Sequence, residues 1–328
     1  MSKLVTIYGG AGFVGRYVAR RMAKQGWRVR VACRRPNEAL FVKPFGTPGQ
    51  VEPVFCNIRD DASVRAVMQG ADAVVNCVGT FQRMGKNNLT AVQAEGAGRI
   101  ARIAADLGVA RLVHISAIGA DENGPSIYSR TKAAGEKAVR EAFPAAVILR
   151  PAVIFGTDDH FFNKFGGMAA LSPVLPIPKG ATRMQPVFVD DVAAAAVKGV
   201  LGEAEAGIYE LGGPEVDSFT GLIKRMLAIV QRRRLVLPVP TFVMKVLAFG
   251  ADMVEAVTLG LVTNKLITRD QLNTLGPDVV VAPGARGLVD LGIQPTPMDA
   301  VLSDYLWRFR PSGQFAAIKA SAKNLKKA

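Results

Sequence analysis

The 328-residue chain predicts an α/β fold, a doubly wound parallel sheet followed by a smaller C-terminal α/β domain. Three observations carry that expectation. Short Val/Ile-rich runs alternate with amphipathic stretches from residue 4 to residue 156, the strand-like runs are continuously apolar, and the first of them enters a glycine-spaced turn. Strand–helix alternation is the pattern of parallel βαβ units, and continuous apolar strands are what a sheet covered by helices on both faces requires.

In chain order, LVTIYG (4–9), RVRVACR (28–34), VEPVFCNI (51–58), DAVVNCVG (72–79), RLVHISA (111–117) and AVILRPAVIFG (146–156) read as six strands. Between them, Gly15–Gln25, Asn88–Leu107 and Tyr128–Phe143 carry the apolar period of helices. The domain organisation expected is a nucleotide-binding domain over 1–156, with strands continuing to about 213, and a smaller mixed domain over 157–328 ending in a basic tail. In that second half LSPVLPIPKG (171–180), LVLPVP (235–240) and QPTP (294–297) read as Pro-rich connections joining helices. The segment 242–262 reads as a helix apolar over most of its circumference, to be buried in a core or against a partner or the membrane interface. No run reaches the eighteen uninterrupted apolar residues of a membrane span.

Composition narrows the function. Lys and Arg number 41 against 27 Asp and Glu, a net charge of +14 that favours an anionic partner. The tail FAAIKASAKNLKKA carries Lys319, Lys323, Lys326 and Lys327 with no acid, so it suits an anionic membrane surface as well as it suits a solvated terminus. Aromatic content of 7% offers no base-stacking pattern, and no nucleic-acid partner is expected. With two histidines, His114 and His160, no metal site is expected. Cys33, Cys56 and Cys77 lack CxxC spacing and read as buried, reduced thiols. MSKLVTIYGG enters a strand directly, which suggests a cytosolic, bacterial or already processed protein.

The turn YGGAGFVGR sets Gly9, Gly12 and Gly15 at GxxGxxG spacing, with Phe13, Val14 and Arg16 inside or directly after it. Following a strand and opening a helix, it is a Rossmann-type cradle whose backbone N–H groups meet a pyrophosphate where no Cβ intervenes. Where an NAD site places an acid at the end of the second strand, this chain has Arg34 and Arg35, which suit a 2′-phosphate and point to NADPH. Asn57 and Ile58 end the third strand, beside an adenine edge, and Val78 and Gly79 end the fourth.

Residues 126–137 read SIYSRTKAAGEK. Tyr128 and Lys132 lie one helical turn apart and project from one face, and Ser116 ends the fifth strand on the crevice side of the sheet. An ammonium beside a phenol lowers its pKa toward acid–base work, and a serine hydroxyl positions a carbonyl. The same residues equally serve to hold a nucleotide, Tyr128 by its hydroxyl and Lys132 at the ribose.

Together with Arg150-Pro151, PVFVDDVAAA (186–195) and YELGGPE (209–215), these motifs resemble the extended short-chain dehydrogenase/reductase superfamily over most of the chain. That resemblance implies that Pro151 and the residues after it, including Val153, line the nicotinamide. Tyr8 stands where most extended members carry threonine, which puts the usual bracing of the turn in doubt. A narrower similarity runs through KAAGEKAVREAFPAAVILRPAVIFGTDDHFFNKF (132–165), ITRDQL (267–272) and LVDLGIQPTPMDAVLSDYL (288–306). These segments look like the NADPH-binding accessory subunit of respiratory complex I. That resemblance implies a subunit of the peripheral arm close to the membrane and quinone cavity, on the cytoplasmic face of a bacterial inner membrane or the matrix face of a mitochondrial one. It also implies a resident NADPH held by Tyr128 and Lys132 without turnover. The residues by themselves also suit a soluble NADP-dependent reductase or epimerase using Ser116, Tyr128 and Lys132.

Overall fold

In the computed structural model, residues 2–239 and 277–315 are described. The segment 242–262, ITRDQL and the four tail lysines lie outside them. The chain forms two compact units. The first comprises Met1–Ala152, Val187–Gly212 and Val281–Pro295, and the second Val153–Pro186, Gly213–Val280 and Thr296–Ala328.

The first unit holds β1 (Leu4–Tyr8), α1 (Phe13–Lys24), β2 (Arg28–Cys33), β3 (Val51–Phe55), α2 (Asp61–Met68), β4 (Ala73–Asn76), α3 (Glu95–Asp106), β5 (Arg111–Ile115), α4 (Ile127–Ala142) and β6 (Val147–Pro151). Two of its later elements are α6 (Val189–Leu201) and β11 (Gly207–Leu211). Seven strands form one sheet in the order β11-β6-β5-β4-β1-β2-β3, every neighbouring pair parallel. The order reverses at β1, with β2 on one side and β4 on the other, the switch point where open α/β sheets bind ligands. Tyr8, Ala32, Val74, Leu112 and Ile148 of the strands pack with α2, α3 and α4 in a single buried cluster. The α1 and α6 helices pack on each other and on the sheet strands, joined by the Arg21–Asp190 pair at 2.8 Å.

Several departures from the expected elements have local causes. The third strand stops at Phe55, although Cys56 N–H still bonds the Cys33 carbonyl at 2.9 Å. Its Pro53 is tolerated because β3 is the edge strand. The run 146–156 splits into β6 and β7 (Ile154–Phe155), since Pro151 has no N–H to extend the ladder. Asn88–Leu107 is a π-turn at Thr90–Ala94 leading into α3 rather than one uniform helix. A 3₁₀ segment, Pro36–Phe45, and the short α2, capped by Asp60 accepting from Ala62 N–H at 3.2 Å, were not expected. Cys33 and Cys77 are half-buried and only Cys56 is buried; all three are free thiols.

In the second unit, two of the Pro-rich runs expected as connections, 171–180 and 235–240, carry strands, whereas QPTP (294–297) is the irregular connection it was expected to be. β8 (Val174–Pro178) pairs in parallel with β13 (Leu235–Val239), and β9 (Arg183–Met184) pairs antiparallel with β12 (Asp217–Ser218). The prolines fit because each of these sheets has two strands and therefore only edges. α5 (Phe162–Leu171), α7 (Phe219–Ile229) and α8 (Asp299–Leu306) enclose an aromatic core in which Phe161 meets Phe162, Phe165 and Phe219 with centroids 5.0–5.5 Å apart. The remaining short strand, β10 (Val187–Phe188), opens α6 in the first unit. No helix among the described residues is long and apolar enough to cross a membrane.

One test addresses the α3–α4 packing. A Cβ at Gly135 of α4 would run into the Gln93 carbonyl oxygen, a backbone atom that cannot swing away. Gly135→Ala is expected to lower stability by about 1–3 kcal/mol, the usual cost of overpacking, read as a shift in the urea midpoint at unchanged slope.

Candidate functional site

The glycine turn folds as a cradle at the carboxyl end of β1. Gly9 has φ +73°, a conformation open to glycine, and its N–H bonds the Ala32 carbonyl at 2.9 Å. A Cβ on Gly15 would meet the Gly9 carbonyl and the Gly10 Cα, so only glycine lets the start of α1 close on the turn. Gly12 is the N-cap of α1, followed by half-buried Phe13 and Val14, and the first turn carries no acid. The positive end of the helix dipole is thus left for an anion. Tyr8 turns its side chain away from the glycine turn to α2, where its hydroxyl donates to the Val64 carbonyl at 2.7 Å and burial pushes its pKa up.

Arg34 and Arg35 are exposed just past β2. Arg35 pairs with Glu38 at 3.0 Å, whereas Arg34 has no acid within salt-bridge reach among the described residues. Arg16 is held from three sides, its guanidinium 4.7 Å from the Phe41 ring centroid and 3.3 Å from the Gly12 and Ala11 carbonyls. Phe41, on the 3₁₀ segment, had no periodic signal to expose this contact. Asn57 Oδ1 accepts from Arg59 N–H at 3.2 Å, and Ile58 is buried. Val78 N–H donates to Asn76 Oδ1 at 3.0 Å, and Gly79 is exposed beyond it. Pro151 ends β6, where its carbonyl accepts from Ile118 N–H at 3.0 Å. Val153 opens the second unit.

The three residues expected to converge have separate engagements. Ser116, buried, donates its hydroxyl proton to Glu136 Oε1 at 2.5 Å. Glu136, itself buried, takes both arms of Arg150 at 2.8 and 2.7 Å, and Arg150 also reaches Glu210 at 3.4 Å. Lys132 is buried with Nζ donating to the Ile115 carbonyl at 3.1 Å, and lies 6.0 Å from the Tyr128 ring centroid. Burial pulls the Lys132 pKa down to about 8, with the Glu136 charge and Cys77 acting the other way. Burial pushes the Tyr128 phenol up to about 12, away from general-base duty at neutral pH. Sequence reading passed over Glu136, although it stands four residues after Lys132 on the same helical face.

Beneath Lys132 lies a polar row inside the sheet. Asn76 and His114 are register partners on β4 and β5. Val78 N–H occupies Asn76 Oδ1, so the amide nitrogen of Asn76 faces His114 Nδ1 at 3.1 Å as donor. The imidazole is therefore neutral with its proton on Nε2, which is buried without a partner among the described residues. Burial, followed by the Lys132 charge, takes the His114 pKa down to about 3. Burial raises the Cys77 thiol to about 12, and the Lys132 charge lowers it in part. His160 is exposed, and no cluster of metal-ligating side chains occurs among the described residues.

The model of a family described as NAD dependent epimerase/dehydratase matches residues 5–212. The chain is 33% identical to the mitochondrial NADH dehydrogenase (ubiquinone) 1 alpha subcomplex subunit 9 of Arabidopsis thaliana over 316 residues, covering 94% of this chain and 79% of the relative. It is 34% identical over 217 residues to the ceramide reductase of Caulobacter vibrioides, covering 66% of this chain and 67% of that one. Among solved structures, a dTDP-glucose 4,6-dehydratase from Streptomyces venezuelae with NAD and TYD bound matches with TM-score 0.71 at 19% identity. That match covers 96% of this chain and 99% of the dehydratase, a likeness of fold.

The buried imidazole has a consequence for acid stability. Because the folded value of about 3 lies below the ordinary 6.5, the unfolded chain takes up this proton first as pH falls through 6.5. Stability therefore drops with falling pH below 6.5, by about 1.4 kcal/mol per unit, and is untouched by this group above it. Urea unfolding of the parent and His114→Asn at neutral and mildly acidic pH should show the steeper fall in the parent; parallel curves would remove His114 as the cause.

Proposed function

This chain belongs to the NAD dependent epimerase/dehydratase family, and we propose that within it the chain is an accessory subunit of a respiratory NADH:quinone oxidoreductase that holds a resident NADPH. Support for the assembly comes from the relatives named as subunits of NADH dehydrogenase, which align with 94% of this chain. The observation that carries the holding role is the engagement of Ser116. Its single hydroxyl proton goes to the Glu136 carboxylate, so it is not offered to a reacting carbonyl. The rise of the Tyr128 pKa to about 12 supports the same reading.

The residues present fit the nucleotide, because only glycine at 15 lets α1 close on the turn and the first turn of α1 carries no acid to repel a pyrophosphate. NADPH when bound supplies a hydride donor. Here the chain's own residues bind and orient. The turn and the start of α1 meet the pyrophosphate, Arg34 and Arg16 provide the charge for a 2′-phosphate, and Lys132 bonds the ribose while Tyr128 packs beside it. The subunit rests on the cytoplasmic face of a bacterial inner membrane, or on the matrix face of a mitochondrial one, with the lysine-rich tail against anionic headgroups.

A second reading, a soluble NADP-dependent reductase using Ser116, Tyr128 and Lys132, is favoured by the 34% identity to a ceramide reductase over 66% of this chain. The two readings part on Tyr128→Phe. In the holding role this variant leaves nucleotide occupancy and the quinone reductase activity of the assembled complex intact. A general acid lost from a reductase would slow turnover about 10²–10⁴-fold.

Three outcomes are expected. The protein isolated from solubilised membranes should travel with NADH:quinone oxidoreductase subunits and release NADP(H) rather than NAD(H) on extraction; a predominance of NAD(H) would overturn the role of Arg34. Lys132→Ala should weaken NADPH retention roughly ten- to a hundred-fold, the loss of one charge-assisted hydrogen bond, measured by equilibrium dialysis. Truncation after Phe315 should reduce membrane association at low salt and matter less at high salt; an unchanged association at every salt concentration would make the tail a bystander.

A further inference from the structure

Tyr128 has a neighbour that holding a nucleotide does not call for. The Phe81 ring lies nearly parallel to it, with centroids 5.1 Å apart and planes 14° from each other. Phe81 sits in the loop after β4 and is 60% exposed, an unfavourable place for an apolar ring unless its position is built.

The building is done by Gln93. Its side chain is buried, with Nε2 donating to the Thr80 carbonyl at 2.7 Å and Oε1 accepting from the Thr131 hydroxyl at 3.0 Å. Thr80 is the residue before Phe81. Thr131 is one turn from Tyr128, with its hydroxyl 3.1 Å from the Tyr128 carbonyl. One amide thus ties the segment carrying the first ring to the turn carrying the second. Gln93 belongs to the π-turn Thr90–Ala94, whose extra residue is the local irregularity. Its own carbonyl lies where a Cβ on Gly135 would stand, so α4 and the π-turn close on each other only through that glycine.

We propose that Phe81 is a shield on Tyr128, positioned by Gln93, that closes one face of the phenol ring to small reactants. The proposal rests on the holding role, in which Tyr128 packs rather than reacts. With one ring face covered by another ring, a reagent that attacks the ring is excluded from that face by contact. The shield is a property of the first unit alone, since Phe81, Gln93, Tyr128 and Thr131 all lie within Met1–Ala152.

Nitration of the full-length protein by tetranitromethane over a pH series, followed by peptide mass spectrometry, reads ring access without any turnover once each rate is referred to the phenolate fraction, the form that reacts. Half-buried Tyr17 serves as the internal reference. In the parent, Tyr128 should react more slowly than Tyr17. Phe81→Ala should raise the Tyr128 rate severalfold with Tyr17 unchanged, Gln93→Leu should do the same by releasing the loop, and Phe81→Trp should restore protection. An equal Tyr128 rate in parent and Phe81→Ala would overturn the shield. NADPH retention, measured by dialysis on the same samples, separates the two readings. Parent and Phe81→Ala should retain it alike. A parent that never holds NADPH would sink the holding role while nitration still judges the shield.

Discussion

The buried pair between Glu136 and Arg150 is the interaction on which the first unit turns. Both arms of the guanidinium meet both carboxylate oxygens, at 2.8 and 2.7 Å, with the Glu136 side chain 2% exposed. A buried charge without its partner is costly, so each member fixes the other. Through Ser116 the pair takes hold of the end of β5, and through Glu210 it reaches β11, the strand that Arg150 also faces in register. Glu210 in turn accepts from Ala282 N–H at 2.9 Å. Three stretches of chain far apart in sequence are thereby held in one unit.

That pair also decides what the Ser116, Tyr128 and Lys132 set can do. A serine hydroxyl has one proton, and here a carboxylate accepts it. Lys132, one turn before Glu136 on α4, has its ammonium on the Ile115 carbonyl above the neutral His114. The charged form of Lys132 is held by Glu136 against desolvation, and burial, followed by that same charge, keeps His114 from protonating. A row of polar groups inside a sheet thus behaves as one electrostatic unit with a cation at its head.

Much of this was legible from residue types and spacing. Six strand runs, the cradle of Gly9, Gly12 and Gly15, and the shared face of Tyr128 and Lys132 depend on period and on local backbone freedom, which a sequence displays directly. Two of the three Pro-rich runs misled because proline argues against a central strand, yet β8 and β13 form a two-stranded sheet with no centre. The single helix expected over Asn88–Leu107 was interrupted because a π-turn adds one residue without disturbing the apolar pattern around it.

By itself the sequence determined the sheet class, the glycine turn that opens α1 and the positions of the chemistry-bearing side chains, since these follow from propensity, periodicity and the absence of a Cβ. Only the tertiary structure decided how those side chains are spent. That Ser116 serves Glu136, that Arg16 lies on Phe41 and that Tyr128 lies under Phe81 are contacts between residues 20 to 47 positions apart. Their formation depends on where the sheet and its loops bring the chain together. No local pattern encodes a partner at that distance, because the free energy that selects it belongs to the packed core as a whole.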